Sequence, residues 1–129
     1  MKYFVKREFE KSETADKLNI DNTVPEELIP GLEEFVDNIL DPLRFAWGTG
    51  IKINSGYRSP ALNKAVKGSN TSSHCKALAA DLWPLGRDFE KFKDFVREFL
   101  YARSWDQCIV EYSGDKRWLH IGYKNNKDE

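Results

Sequence analysis

The chain has 129 residues, of which 40% are hydrophobic and 32% charged, and its formal net charge is -1. This length predicts one domain, residues 1–129, with an ordinary buried core, and four Trp and eight Phe exclude a disordered chain. The charged residues are scattered and nearly balanced in sign, so the sequence shows no basic patch of the kind that binds nucleic acid. The sequence has no run long and apolar enough for a membrane span and no signal-peptide core at its start. We therefore expect a soluble monomer that is synthesised in the cytoplasm.

The first half of the chain predicts a helix followed by a strand. The first twenty residues have no clear period, and we expect them to wrap the surface. Thr23–Glu26 is typical of a capping box with an early proline. Apolar residues then recur at helical spacing as far as Leu43, and Pro30 and Pro42 are expected to break or kink this helix. Ile51–Ser55 alternates like a strand.

The second half alternates helix and strand signals around a polar loop at 68–73. A Ser-Pro pair opens a short helix, a run of small residues predicts a strand, and a stripe of Phe side chains predicts a helix that packs on the core. Two final strands predict a hairpin. Helices that flank a small antiparallel sheet indicate the α+β class. The predicted elements are Ser59–Val66, Ala77–Trp83, Asp88–Ala102, Gln107–Tyr112 and Trp118–Tyr123.

The only two histidines, His74 and His120, each lie where a metal ligand is expected. With Asp81 they form a two-histidine, one-carboxylate set that leaves the fourth position of a tetrahedral zinc ion open to water, as in catalytic sites. Burying Asp81 in an otherwise apolar strand costs several kcal/mol unless a zinc ion, or alternatively an Arg or Lys, pairs with it. Cys75 is a less favoured ligand because adjacent side chains rarely turn toward one ion.

The hairpin predicts where Glu111 lies. If Gly114–Arg117 forms a four-residue loop, Glu111 lies directly opposite His120 on the same face, whereas a five-residue loop turns it away. A glutamate near the metal that does not ligate it fits the general base for zinc-bound water. The alternative is a solvent-exposed strand residue. Arg58 can clamp a carboxylate or stabilise an oxyanion, since its planar fork suits both, or it is an ordinary surface arginine.

Cys75 and Cys108 are the only cysteines. Without a secretory signal, reduced thiols are the default expectation, because disulfides persist mainly in oxidising compartments. A disulfide between these two residues stays open at the level of the sequence.

Three motifs in this order resemble the zinc D-alanyl-D-alanine carboxypeptidase family. They are the loop Ser55–Ser59, the segment from Ser72 through His74 to Asp81, and the terminal Trp118–His120. The resemblance extends from about residue 23 to residue 123 and is closest to the short bacterial and phage proteins of the carboxypeptidase C-terminal type. Members of this family include cell-wall peptidases and phage endolysins, and the hedgehog signalling domain is related to it by fold, so the resemblance implies a hedgehog-like α+β fold.

The resemblance also implies roles for individual residues. The family pattern makes His74, Asp81 and His120 the ligands of one catalytic zinc ion. It makes Glu111, on the strand that begins at Asp106, the catalytic base. Arg58 and Ser72 match substrate-contacting positions, and Arg58 is expected to assist catalysis at the carbonyl oxygen. These six assignments are the site that the sequence predicts: His74, Asp81, His120, Glu111, Arg58 and Ser72.

Two positions depart from the family pattern. The glycine usually found three residues after the first ligand is Ala77 here, which strains the backbone by roughly 1 kcal/mol or more if that position needs a positive φ. Many members also carry an acidic residue or histidine shortly before the last ligand, where this chain has Arg117 and Trp118. The base assignment therefore depends on Glu111 alone.

Three functions fit the sequence. A carboxypeptidase that trims a terminal D-Ala needs a closed pocket for a free carboxylate, whereas an endolysin-type endopeptidase needs an open groove, which a chain of this length favours. Both would hydrolyse peptidoglycan stem peptides, acting on the cell wall after release from the cell or as part of a phage particle. The third function is a non-catalytic, zinc-stabilised module that binds cell wall or protein.

Overall fold

The structure is a computed structural model that describes residues 1–69, 71–86, 88–101, 103 and 107–123. These residues form six α-helices and four β-strands, joined by 3-10 turns at Glu26–Leu28 and Ser73–Lys76 and by a π-helical segment at Val36–Leu40. The helices and strands are α1 Lys6–Glu10, α2 Glu13–Leu18, α3 Ile29–Phe35, α4 Asp41–Trp47, β1 Ile51–Ser55, α5 Pro60–Ala65, β2 Ala79–Pro84, α6 Phe89–Leu100, β3 Gln107–Ser113 and β4 Lys116–Gly122.

The four strands form one antiparallel sheet in the order β1-β2-β4-β3. The predicted α+β class, a small antiparallel sheet flanked by helices, is confirmed. Because β4 lies between β2 and β3, residues of the hairpin come next to residues of β2. This order makes Asp81 and His120 direct cross-strand partners.

The inner strands have one apolar face and one face with polar residues. Since side chains alternate along a strand, Leu82, Leu119 and Ile121 point to the face opposite that of Asp81 and His120, and these three apolar residues are fully buried. They join a core to which the helices α3, α4 and α6 contribute Phe35, Leu43 and Phe92, among others. The polar pair is therefore held on a sheet whose position is fixed by the apolar packing behind it.

Two prolines lie within the helical stretch from residue 26 to residue 47, and neither of them ends it. Pro30 and Pro42 lie in the first turns of α3 and α4, where a missing N–H costs little. The π-helical segment Val36–Leu40 lies between these helices and brings the chain to Pro42. The predicted capping box at Thr23 is wrong, because the Thr23 hydroxyl donates to Asp21 and the first helical turn begins at Glu26.

The N-terminal segment contributes to the core, so the prediction that the first twenty residues only wrap the surface is wrong. Phe4 and Phe9 are 3% and 1% exposed and contact each other edge to face. Phe9 also packs against the end of β1, where its carbonyl accepts from the Tyr57 N–H at 2.7 Å. This contact brings α1 next to the loop that supports the candidate site.

The later elements follow the predictions closely. Ser59 caps α5 by accepting from the Leu62 N–H, and Asp88 caps α6. Helix α6 ends at Leu100, and the predicted end at Ala102 lies outside the described residues. Within the part of the chain that the structure describes, every helix falls short of the length and apolarity that crossing a bilayer requires.

Candidate metal centre

His74 is held by the short 3-10 turn Ser73–Lys76, which lies between the predicted polar loop 68–73 and the predicted strand Ala77–Trp83. The Ser72 hydroxyl caps this turn by accepting from the His74 N–H at 3.2 Å. The His74 side chain is 3% exposed, and its Nδ1 lies 2.6 Å from the carbonyl oxygen of Gly56. Because a carbonyl oxygen only accepts, Nδ1 carries the proton, and Nε2 presents a lone pair.

Gly56 reaches His74 because its residue type permits a close backbone approach. A Cβ at this position would lie 2.7 Å from the Phe9 Cα, too close for any side chain. The tight packing of α1 against this loop therefore fixes the carbonyl that orients His74. The candidate ligand His74 is therefore oriented by a backbone carbonyl that is itself held in place by the packing of Phe9.

Asp81 and His120 face each other across the β2–β4 ladder. His120 Nδ1 lies 2.9 Å from Asp81 Oδ1, and the two residues are 6% and 4% exposed. Their positions need no loop, because cross-strand partners lie on the same face at close distance. The small Ala79 precedes Asp81 on that face, and Ala77 lies just before the strand.

The third member of the cluster is the imidazole of His74, whose Nε2 atom has no hydrogen-bond partner among the described residues. This nitrogen is buried, and Asp81 Oδ1 is only 3.3 Å away. With Nδ1 protonated, a lone pair and a carboxylate oxygen face each other, and such an arrangement is unfavourable unless a second ring proton or a metal ion lies between the two atoms. The geometry fits a bound metal ion.

The donor set and its spacing also fit a metal ion. One ligand atom each from His74, Asp81 and His120 can be chosen so that all lie within 4.8 Å of one another. Ligand atoms about 2.0–2.1 Å from a tetrahedral zinc ion lie about 3.4 Å apart, close to the separation of His74 Nε2 and Asp81 Oδ1. Two imidazoles and one carboxylate are ligands that zinc accepts.

The charge of Asp81 is strongly favoured in this setting. Burial alone would raise the pKa of Asp81, but the neighbouring imidazoles of His120 and His74 outweigh burial and lower the pKa from 3.8 to about 2. The carboxylate is thus ionised at neutral pH, which is the form that ligates a metal.

Arg58 lies behind Asp81 and forms part of the cleft wall. Its Nη2 is 3.8 Å from Asp81 Oδ2, on the carboxylate oxygen that does not face the histidines. Nη1 donates to Asn63 Oδ1 at 3.3 Å, and Nε donates to Ser55 Oγ at 3.5 Å. The side chain is 19% exposed, so Arg58 is far from an ordinary surface arginine.

Glu111 lies beside His120, although the predicted loop length is wrong. Ser113 pairs with Lys116 across a two-residue turn, so Ile109 is opposite His120 and Glu111 is opposite Trp118. The expected pairing was off by two residues, and a shift of two leaves a side chain on the same face. Glu111 Oε1 lies 3.8 Å from His120 Nδ1 and accepts the Trp118 indole N–H at 2.9 Å.

These residues line one cleft of about 360 Å³ at the sheet surface. Arg58, His74, His120 and Glu111 all border it, and Ser72 lies on the loop that forms one wall. The opposite wall consists of the β3 side chains on the same face. Asp81 lies beneath the cleft, against both histidines. The other residues that border the cleft are Gly68, Ser69, Thr71, Ser73, Gln107 and Ile109.

The two cysteines take no part in this cluster. Cys75 and Cys108 are both free, so the disulfide that the sequence left open is absent. Burial raises the pKa of the Cys75 thiol and of the Cys108 thiol, which disfavours the thiolate that a metal binds. Cys75 lies outside the cluster of possible ligand atoms that its neighbour His74 joins.

Sequence reasoning missed three groups that contact the ligands: the Gly56 carbonyl, the Trp118 indole and the amide of Gln107. The Gln107 Oε1 lies 2.9 Å from His120 Nε2. Only Gly56 had a usable signal, as a glycine directly after a strand. The other two contacts depend on the hairpin register and on side-chain rotamers.

A family model described as peptidase M15 matches residues 2–122. No curated protein and no solved structure matches the chain significantly. The family match covers nearly the whole chain, including every residue of the predicted site, and confirms the resemblance seen in the motifs. The chain belongs to the peptidase M15 family, the family of the zinc D-alanyl-D-alanine carboxypeptidases.

Proposed function

We propose that this protein is a zinc metallopeptidase that hydrolyses a peptide bond in peptidoglycan stem peptides. One observation carries the proposal: a buried His74–Asp81–His120 cluster with an unpartnered imidazole nitrogen borders a cleft that also contains a glutamate. A purely structural core has no use for that nitrogen. Membership of a peptidase family supports the reaction class.

Three atoms would hold the zinc ion: His74 Nε2, Asp81 Oδ1 and His120 Nδ1. The other polar atom of each residue already has a partner. His74 Nδ1 contacts the Gly56 carbonyl, Asp81 Oδ2 lies near Arg58, and His120 Nε2 contacts the Gln107 amide. Such outer partners fix the orientation of metal ligands. A zinc ion held by three ligands lowers the pKa of water to about 7 and polarises a carbonyl group.

Glu111 is assigned as the general base. Its carboxylate lies at the cleft surface within 3.8 Å of a ligand nitrogen, close enough to take a proton from the attacking water. The Trp118 indole N–H holds Oε1, which leaves Oε2 to accept that proton and deliver it to the leaving amine. Trp118, one of the two residues that depart from the family pattern before the last ligand, therefore holds Glu111 in place.

Arg58 and Ser72 are assigned to the substrate. The guanidinium group lies on the cleft wall, where its charge would stabilise the developing oxyanion. The Ser72 hydroxyl already accepts from the His74 N–H, and its own proton can be donated to a substrate carbonyl. Both residues also contact the backbone of His74: the Arg58 N–H donates to the His74 carbonyl, and the Ser72 hydroxyl accepts from the His74 N–H. The same contacts therefore position the substrate-binding residues and the metal ligand.

An endopeptidase is the form of this activity that we favour. A carboxypeptidase needs a cationic side chain available to clamp the free terminal carboxylate. Among the described residues that border the cleft, Arg58 is the only Lys or Arg, and it is already assigned to the oxyanion, which leaves no second cation for a terminal carboxylate. A stem peptide that continues on both sides of the cut bond needs no such clamp.

Digestion of purified stem peptides by the zinc-loaded protein, read by mass spectrometry, tests this proposal. Loss of one terminal alanine would identify a carboxypeptidase, and an internal cut would identify the endopeptidase that we expect. Glu111→Gln keeps the size and the Trp118 contact but removes the base, so it should retain zinc and lose about 10²–10⁴-fold in rate.

Two results would overturn the assignment. A Glu111→Gln variant that cleaves at the wild-type rate would exclude Glu111 as the base. A wild-type protein that holds one zinc ion and cleaves no stem peptide would favour the zinc-stabilised binding module instead.

A further inference from the structure

We propose that Gln107 is a positioning residue that fixes the His120 ring with Nδ1 directed at the metal position. This inference concerns the metal site of the proposed function and requires that the site bind zinc, but not that the protein be a peptidase. Gln107 forms a hydrogen bond with His120, and it would act through that ring.

The geometry places Gln107 and His120 on the same face of the hairpin. Gln107 pairs with Gly122 and Ile109 pairs with His120, so the Gln107 side chain lies diagonally across from the imidazole. At that diagonal distance a long side chain still reaches its neighbour. The Oε1 atom lies 2.9 Å from His120 Nε2.

The two nitrogens of His120 face two acceptors that compete for one proton. Nδ1 is 2.9 Å from Asp81 Oδ1, and Nε2 is 2.9 Å from the Gln107 amide oxygen. A neutral imidazole has one N–H, so it can donate to only one of the two acceptors. Asp81 alone would attract the proton to Nδ1, and a protonated Nδ1 cannot bind a metal ion.

Gln107 opposes that preference. By accepting from Nε2–H, its amide oxygen stabilises the tautomer in which the Nδ1 lone pair points toward His74 Nε2 and Asp81 Oδ1. The same contact opposes rotation of the ring about its Cβ–Cγ bond. Outer partners of this kind change metal affinity by about 10–100-fold.

The exposure of Gln107 makes the inference testable. Its side chain lies at the surface of β3, outside the apolar core, so a substitution there should leave the fold intact. Gln107→Leu has nearly the same size but no acceptor. Gln107→Glu keeps an acceptor in the same position and serves as the rescue, and Tyr112→Leu, an exposed change on the same strand, is the matched control.

The test measures zinc affinity by competition with a chelator and reads the His120 tautomer from long-range proton–nitrogen NMR spectra. We expect Gln107→Leu to bind zinc about 10–100-fold more weakly and, without metal, to carry a larger fraction of the ring proton on Nδ1 than wild type does. Gln107→Glu and Tyr112→Leu should stay within about threefold of wild type, a difference below 1 kcal/mol.

The outcomes separate this inference from the proposed function. A Gln107→Leu variant with wild-type zinc affinity and an unchanged His120 tautomer would overturn the role of Gln107 alone. Wild-type protein that binds no zinc would overturn both proposals. Protein that binds zinc in the expected order of affinities but cleaves no peptide would support Gln107 and reject the peptidase.

Discussion

The two sides of the cleft are built in different ways. His74, Asp81 and His120 are almost completely buried and are positioned largely by backbone: a capped turn, a close glycine carbonyl and direct cross-strand pairing. On the opposite side, Ile109 and Glu111 lie on the edge strand β3. Ile109 is 43% exposed, and Glu111 is partly exposed. The inner side suits metal binding, which needs fixed geometry, and the outer side suits a substrate that must enter and leave.

This difference shows where the site tolerates change. Asp81 and His120 lie on strands whose reverse faces are packed into the core, and His74 lies on a capped, buried turn, so their geometry is as stable as the fold. The outer residues depend on single side-chain contacts, such as the Trp118 indole to Glu111. Substitutions of the three inner residues should therefore affect metal binding, as should substitutions of Gln107 through its contact with His120. Substitutions that disturb Glu111 should affect turnover.

The largest expected effect belongs to the inner side. Asp81→Asn keeps the shape of the side chain but removes the anionic ligand that lies between the two histidines. If about 10–16 kcal/mol of zinc binding is shared over four ligands, losing one should weaken affinity by roughly 100-fold or more. Chelator competition measures the affinity, and circular dichroism checks the fold. Zinc affinity within threefold of wild type would exclude Asp81 as a ligand.

A smaller effect on the inner side is visible without metal. Because folding lowers the pKa of Asp81 from 3.8 to about 2, its ionised form stabilises the native state above about pH 4. As the pH falls from about 5 to about 2, this contribution of about 2 kcal/mol to the free energy of unfolding is lost. Urea unfolding of zinc-free wild type should show this loss in excess of that in Asp81→Asn. Parallel pH profiles of the two proteins would contradict it.

The smallest of these effects belongs to the outer side. Trp118→Phe removes the indole N–H that holds Glu111 while keeping an aromatic ring on the strand. A hydrogen bond to a charged group contributes about 1.5–3 kcal/mol, so kcat should fall roughly 10-fold or more while zinc affinity stays unchanged. Trp83→Phe, a change at a ring that stacks on Phe89 away from the cleft, is the control. Equal losses of zinc and of turnover would remove the distinction between the two sides.

Much of the inner site could be predicted from sequence because chemistry restricts it. The chain has only two histidines, and an aspartate inside an apolar strand needs a partner, so His74, Asp81 and His120 stand out from residue type and position. What the sequence could not show is that β4 lies between β2 and β3. That order, which makes Asp81 and His120 partners, results from packing of the whole sheet.

The hairpin register shows how a prediction can be wrong in detail and keep its consequence. A Gly-Asp pair is a recognised two-residue turn, and Gly114 has the positive φ, 61°, that its first position requires. This signal was available in the sequence, yet only four-residue and five-residue loops were considered. Because the two registers differ by two residues, Glu111 still lies on the face of His120.

Ala77 illustrates a conditional prediction that the structure resolves. Its φ of 59° is left-handed, as the glycine of the family pattern suggested, and it ends the 3-10 turn that positions His74. The methyl group is buried in the core, which offsets part of the strain of roughly 1 kcal/mol. The contacts of Gln107 and Trp118 had no such signal, because they depend on rotamers that only the assembled hairpin selects.

The position of the metal tests the central claim most directly. Anomalous diffraction at the zinc edge, from crystals of the zinc-loaded protein, locates the ion independently of any activity. We predict one peak about 2.0–2.2 Å from His74 Nε2, Asp81 Oδ1 and His120 Nδ1, with Glu111 outside bonding distance and the fourth position open. A peak elsewhere, or a closed site in which Glu111 is the fourth ligand, would contradict a catalytic zinc centre with Glu111 as its base.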